Sequence, residues 1–263
     1  MRYINTNQLE KLKINKNNVY VAIDFDKTIT TGESIDSWSV AGSLLGENFA
    51  KELNGFYKIY RPIELDYKIE LEEKEKAMIE WYQKCMNLYY KYHLTQEKLA
   101  ASIQKSNLIF RDGAKEFLQK AYQENIPIII LSAGIGNVIE QFLKETNCYF
   151  DNIYIIGNFI EFDENGNMKK FDHSKIVHTL NKTMKGKLSD TFIEKINNKT
   201  YKILIGDLKE DEKMIEQEEW DTTLKIGILE HKIEERLKTY QETFDIVLTE
   251  EDATFAILDE IVF

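Results

Sequence analysis

Cysteine and proline are nearly absent from this chain, whose 263 residues hold two of each. Cys85 and Cys148 stand far apart and form no C-x-x-C pair. That spacing argues against a disulfide framework or a zinc knuckle and fits a reducing compartment. Long apolar runs are missing too, and none reaches the roughly 18–20 residues that a membrane-spanning helix needs. The start, Met1 to Asn18, is polar and lacks the apolar stretch of a secretory signal, so a soluble cytoplasmic protein is expected. Basic charge is also short, with a formal net charge of -11. Binding to a nucleic-acid polymer or an anionic membrane is therefore not expected. A small negatively charged partner would depend on a few local cations and backbone N–H groups. The four histidines, His93, His173, His178 and His231, make no metal-ligand pattern.

What is present is ordinary for a globular chain: 43% apolar and 30% charged residues, in a length able to bury a sizeable core. Short apolar runs at Val19–Ile23, Ile128–Leu131, Ile153–Ile156, Ile203–Ile205, Leu224–Leu229 and Ile246–Leu248 read as buried parallel strands. Helical spacing lies between most of them, at Ala114–Gln123, Val138–Thr146, Lys232–Tyr240 and Asp252–Ile261. This alternation predicts an α/β fold with a mainly parallel sheet. From about Glu33 to Leu108 the alternation stops and the signal is helical. The residues Met78, Ile79, Trp81, Tyr82, Cys85, Met86 and Tyr89 form an apolar stripe there. Such an insertion would sit over the carboxyl ends of the strands, where open α/β sheets bind ligands.

The chemistry-bearing residues cluster at those strand ends. Asp24-Phe25-Asp26-Lys27-Thr28 follows the first strand directly, so two carboxylates crowd the mouth of the sheet. Crowding is relieved by a shared proton or a cation, and Mg²⁺ suits oxygen ligands. Alone, the pattern would serve equally well as a turn or a helix N-cap. Asp207 and Asp211 come after Ile203–Ile205, four residues apart, and would share a face of a helical turn. Up to four carboxylates at one end of one sheet read as a metal site. After Ile128–Leu131 comes Ser132-Ala133-Gly134-Ile135-Gly136, a hydroxyl and N–H groups suited to cradle a phosphate. Lys175 and Lys182 are both candidates for a phosphate-pairing cation, and spacing does not choose between them.

The order carboxylates, hydroxyl, lysine, carboxylates resembles the haloacid-dehalogenase superfamily. Longer stretches are similar to the cytosolic 5'-nucleotidase III (pyrimidine 5'-nucleotidase) family: Asp24–Thr28, Arg111-Asp112-Gly113, Ser132–Gly136, Asn158-Phe159, Phe162–Gly166, His178-Thr179, Asn181-Lys182 and Tyr240 with Asp245–Leu248. The likeness runs over most of the chain from about Val19 and leaves roughly Thr31–Tyr57 unmatched.

The resemblance implies a Rossmann-like, haloacid-dehalogenase-like core of residues 1–32 and 109–263, with a helical cap of 33–108. It implies Asp24 as nucleophile, Asp26 as general acid and base, and Lys182 as the phosphate lysine. Mg²⁺ would be held by Asp24, Asp26 (through its backbone carbonyl), Asp207 and Asp211, although Leu208 stands where the family usually has a small hydroxyl residue. Ser132 and Ala133 would hold the phosphoryl oxygens, Glu64 would read the base, and Cys85 would contact the substrate. The expected partner is a nucleoside 5'-monophosphate, a pyrimidine first, with 7-methylguanosine monophosphate within the family's range. A capped phosphatase acting on phosphoserine and a catalytically silent binding protein with this fold are the competing expectations.

Overall fold

The computed structural model describes residues 2–4, 16–66 and 68–256. Six of its seven strands run parallel: β2 (Val19–Ile23), β3 (Ile128–Ile135), β4 (Ile153–Asn158), β5 (Tyr201–Gly206), β6 (Thr223–Leu229) and β7 (Ile246–Thr249). The short β1 (Arg2–Ile4) pairs antiparallel with β7 at one edge. The sheet order is β1-β7-β6-β5-β2-β3-β4, so β2 lies inside the sheet between β5 and β3. Each apolar run expected to be a strand is one. Both faces of β2 and β6 are fully buried, which is why these segments read as continuous rather than alternating apolar runs.

Two apolar layers clad the sheet. On one side Val19, Val21, Ile23, Ile128, Ile130, Ile203 and Ile205 pack against α5 (Ala114–Gln123) and α6 (Gly136–Glu145) through Phe117, Leu118, Ile139, Phe142 and Leu143. On the other side Tyr20, Ala22, Ile129 and Leu204 meet Phe192 of α7 (Asp190–Ile196) and Tyr240 of α8 (Ile233–Thr243). Of the helix expected over Asp252–Ile261, residues 257–261 lie outside the described residues, and Asp252 ends a short 3-10 turn, Glu250–Asp252.

Between β2 and β3 the chain forms α1 (Ser37–Gly42), α2 (Glu47–Leu65), α3 (Leu71–Lys91) and α4 (Gln96–Gln104) before α5, and no strand among the described residues. Asp36 caps α1 by accepting the Ser39 N–H at 2.9 Å, and Thr95 caps α4 by accepting that of Lys98 at 3.2 Å. The apolar stripe of α3 splits by position. Met78, Met86 and Tyr89 are wholly buried, with Met86 and Tyr89 packing on Val40 and Phe49. Trp81, Tyr82 and Cys85 instead line a cavity above the carboxyl ends of the strands.

β3 departs furthest from its expected bounds, running past Leu131 to Ile135. β3 pairs with β4 up to Leu131, shifts register, and resumes at Ile135 opposite Asn158. Ser132, Ala133 and Gly134 therefore form an irregularity inside the strand rather than a turn after it, which frees their backbone from regular pairing.

Candidate active site

Asp24 follows β2, and its N–H donates to the Ile205 carbonyl of β5 at 3.0 Å. That pairing puts it beside Asp207, which follows β5. Asp24, Asp207 and Asp211 each offer a carboxylate oxygen within 4.8 Å of the others. Asp211 is oriented by the Leu208 N–H, which donates to Oδ2 at 3.0 Å. The approach needs Gly206, since a Cβ there would lie 2.3 Å from Asp211 Oδ2. Lys182 is 3% exposed and donates from Nζ to Asp24 Oδ1 at 2.7 Å and to Asp211 Oδ1 at 2.8 Å. Lys175, the other candidate, is exposed and lies near Asp172 and Glu161.

The electrostatics follow from this crowding. Burial, with the Asp211 charge adding and Lys182 opposing, pushes the Asp24 carboxyl up to about 6. Burial and the neighbouring Asp24 and Asp211 raise Asp207 well above the usual carboxylate range. For Lys182, burial acts to lower the value, and the two aspartates outweigh it and keep the ammonium charged. Three crowded hard oxygen donors, with Asp24 and Asp207 held above the usual carboxylate range, fit a divalent cation such as Mg²⁺.

Asp26 does not share this cluster. Its carboxylate turns onto α1, accepting from the Ser37 backbone N–H at 2.9 Å and from Ser37 Oγ at 2.6 Å. Ser37 Oγ in turn accepts the Ile135 N–H at 3.1 Å. A Cβ on Gly134 would lie 2.1 Å from Ser37 Oγ and 2.6 Å from Asp26 Oδ2, so a residue without a side chain is required beside them. Burial, with Asp36 adding, pushes Asp26 up to about 7. The chain turns back through Lys27, whose φ of 63° is in the left-handed region.

Ser132 Oγ accepts the Gly134 N–H at 3.0 Å. The Ala133 carbonyl accepts from Trp38 Nε1 at 3.1 Å and from Asn158 Nδ2 at 2.9 Å. Asn158 also donates to the Val177 carbonyl and accepts the Val177 N–H, at 2.7 and 3.0 Å. One buried amide thus ties the Ser132–Gly134 loop to the segment that carries Lys182.

These groups open into a cavity of about 500 Å³ that also includes Arg61, Glu64, Trp81, Tyr82 and Cys85. Glu64 is 6% exposed, pairs with Arg61 at its Oε2, and accepts from Thr179 Oγ1 at Oε1 at 2.8 Å. Trp81 stacks on Tyr60 with ring centroids 5.9 Å apart, and Tyr82 meets Trp38 edge-on at 5.2 Å. Burial pushes the Cys85 thiol up to about 12, so the thiol lining the cavity is neutral near pH 7.

The structure thus brings Asp24, Asp26, Glu64, Cys85, Ser132, Ala133, Lys182 and Asp207 to one cavity, with an Asp211 carboxylate oxygen within 4.8 Å of those of Asp24 and Asp207. Sequence reasoning assigns no role to Ser37, Trp38, Thr179 or Asn158. Ser37 and Trp38 fall in the segment that the sequence reading leaves unmatched, where the one local signal is the capping residue Asp36. Thr179 and Asn158 lie in matched stretches, but nothing in their spacing tells what they touch.

Comparison with known proteins bears on what this cavity does. Residues 24–263 match the family model described as pyrimidine 5'-nucleotidase (UMPH-1). A 7-methylguanosine phosphate-specific 5'-nucleotidase of Mus musculus is 33% identical over 217 residues, which are 82% of this chain and 72% of the relative. The Drosophila melanogaster protein of the same name is 31% identical over 242 residues, or 88% and 75% of the two chains. Among solved structures, cytosolic 5'-nucleotidase IIIB bound to cytidine superposes with a TM-score of 0.83 at 29% identity, covering 96% of this chain and 87% of that one. A substrate-bound phosphoserine phosphatase gives 0.59 at 18% identity over 94% and 99%, a likeness of fold alone.

Proposed function

Because this chain belongs to the pyrimidine 5'-nucleotidase (UMPH-1) family of phosphoric monoester hydrolases, we propose that it is a Mg²⁺-dependent hydrolase of nucleoside 5'-monophosphates that prefers pyrimidines such as CMP. The observation that carries this reading is one cavity with Asp24 paired to Lys182 at one end, and Glu64 among aromatic rings at the other. Its dimensions and lining suit a phosphate, a ribose and a base in line better than they suit phosphoserine.

Asp24 attacks phosphorus, and the bond to the ester oxygen breaks as the aspartyl-phosphate forms. Asp26 gives its proton to the departing 5'-oxygen, then takes one from the water that attacks phosphorus and releases Asp24. Lys182 offsets charge on the transferring group, while Ser132 and the Ala133 N–H hold its oxygens. Asp24, Asp207, Asp211 and the Asp26 carbonyl would hold Mg²⁺, which when bound lets an ionised carboxylate approach a phosphate dianion. Leu208 adds no hydroxyl to that shell.

Residues 33–108 serve as the helical cap on a core formed by 1–32 and 109–263. Glu64 accepts from the base, Trp81 and Tyr82 face it, and Cys85 contacts the substrate. Among the described residues no helix is long and apolar enough to cross a membrane, and we place the enzyme in the cytoplasm with small phosphorylated nucleosides as its partners. The relatives' names favour 7-methylguanosine monophosphate as a second substrate.

The test is phosphate release from CMP, UMP, 7-methylguanosine monophosphate, AMP and phosphoserine, with and without Mg²⁺, for the wild type and Asp24→Asn. Mg²⁺-dependent release from a pyrimidine nucleotide, lost in the variant, is expected. Better turnover of phosphoserine would overturn the substrate.

A further inference from the structure

The cap end of the cavity carries a feature that the catalytic groups do not need. Arg61 and Glu64 are one helical turn apart on α2, and the guanidinium pairs with Glu64 Oε2. Burial acts against the Arg61 charge, but the Glu64 carboxylate outweighs it and keeps the guanidinium charged. Both residues line the cavity together with Trp81 and Tyr82. Arg61 is about 29% exposed and Glu64 6%, so the cation is the more accessible member.

An unpaired carboxylate in an aromatic pocket attracts a cation, because the carboxylate and the ring faces both favour positive charge. A carboxylate already neutralised by an arginine does not. The Arg61–Glu64 pair has no net charge, and it presents donors beside acceptors. Cytosine offers the complementary pattern, with its N4–H donating while N3 and O2 accept. A 7-methylguanine ring carries a formal positive charge and would meet the guanidinium as a like charge.

Resting on the proposed nucleotidase reading, we infer that Arg61 is a specificity-determining residue that selects neutral bases over cationic, N-methylated ones. Arg61 makes this chain a pyrimidine nucleotidase that disfavours 7-methylguanosine monophosphate, unlike the function in the names of its relatives. The discrimination is electrostatic, so it depends on the charge at position 61 more than on the shape of the side chain.

The experiment compares kcat/KM for CMP and 7-methylguanosine monophosphate in wild type, Arg61→Met and Arg61→Lys. The wild type favours CMP. Arg61→Met raises the 7-methylguanosine-to-CMP ratio about tenfold or more, equivalent to about 1.4 kcal/mol, while Arg61→Lys keeps it near the wild-type value. Competition by the free nucleosides cytidine and 7-methylguanosine against a generic phosphate ester reads the same ratio as inhibition constants. An unchanged ratio in Arg61→Met, or an equal rise in Arg61→Lys, would overturn the inference with the nucleotidase reading intact. Failure of the wild type to hydrolyse any nucleotide would overturn that reading itself.

Discussion

Ser37 holds both oxygens of Asp26, one through its backbone N–H at 2.9 Å and the other through its hydroxyl at 2.6 Å. The first residue of α1, in the segment between β2 and the long helices, therefore orients the proposed proton donor. Ser37→Ala removes one of the two bonds and leaves the backbone one. Turnover of CMP, whose leaving alkoxide needs a proton, is expected to fall about 10- to 100-fold. Turnover of p-nitrophenyl phosphate, whose leaving group needs little help, falls much less. Equal losses on both substrates would refute the positioning role.

Lys182 sits between two buried carboxylates, and its loss strands both charges. Lys182→Met is expected to destabilise the metal-free protein by about 3–5 kcal/mol, the usual cost of breaking a buried pair. Mg²⁺ should recover part of this loss, because a cation at Asp24, Asp207 and Asp211 replaces the missing charge. Urea unfolding with EDTA and with Mg²⁺ reads the difference. A stability gap that Mg²⁺ does not narrow would argue against metal binding at this cluster.

Asn158 makes three buried hydrogen bonds that tie the loop at Ala133 to Val177. In Asn158→Ala two carbonyls and one N–H lose a partner, a cost of about 2–3 kcal/mol. The same change loosens Ser132 relative to Lys182, so KM for nucleotide and affinity for inorganic phosphate both worsen. Phosphate inhibition constants measured well below the melting temperature separate this from simple unfolding.

His178 gives the pH dependence a defined sign. Burial, with Lys187 and Lys213 adding, pushes it down from 6.5 to about 4. Its Nδ1 accepts the Leu180 N–H at 3.2 Å, which a protonated ring could not do. Between these two values the unfolded chain binds the proton and the folded chain does not. Stability from this group is therefore complete above about pH 6.5 and is lost as pH falls toward 4, by roughly 3 kcal/mol. His178→Asn keeps an acceptor without titrating, so its melting temperature is expected to fall less than that of the wild type across this window. Parallel curves would exclude His178 as the source.

Much of this protein was legible in local patterns. Val19–Ile23 and Ile203–Ile205 announce buried strands because every side chain is apolar. Residues directly after such strands lie at the mouth of the sheet wherever the chain goes next. Asp24, Ser132 and Asp207 could be singled out for that reason. The stripe on α3 was legible as a helix, but not in its division between core and cavity. Met86 and Trp81 look alike in hydropathy, and only the packing of α2 and α1 against α3 separates them.

The sequence by itself therefore determined the α/β alternation, the helical insertion and the carboxylates at the strand ends, because these depend on periodicity and on neighbours in the chain. Tertiary structure alone decided the partners. Lys182 reaches Asp24 across 158 residues, and Thr179 reaches Glu64 across 115. Ser37, 11 residues from Asp26, reaches it only because the chain turns back through Lys27. Such contacts depend on where loops bring distant segments, and side-chain spacing along the chain carries no record of that path.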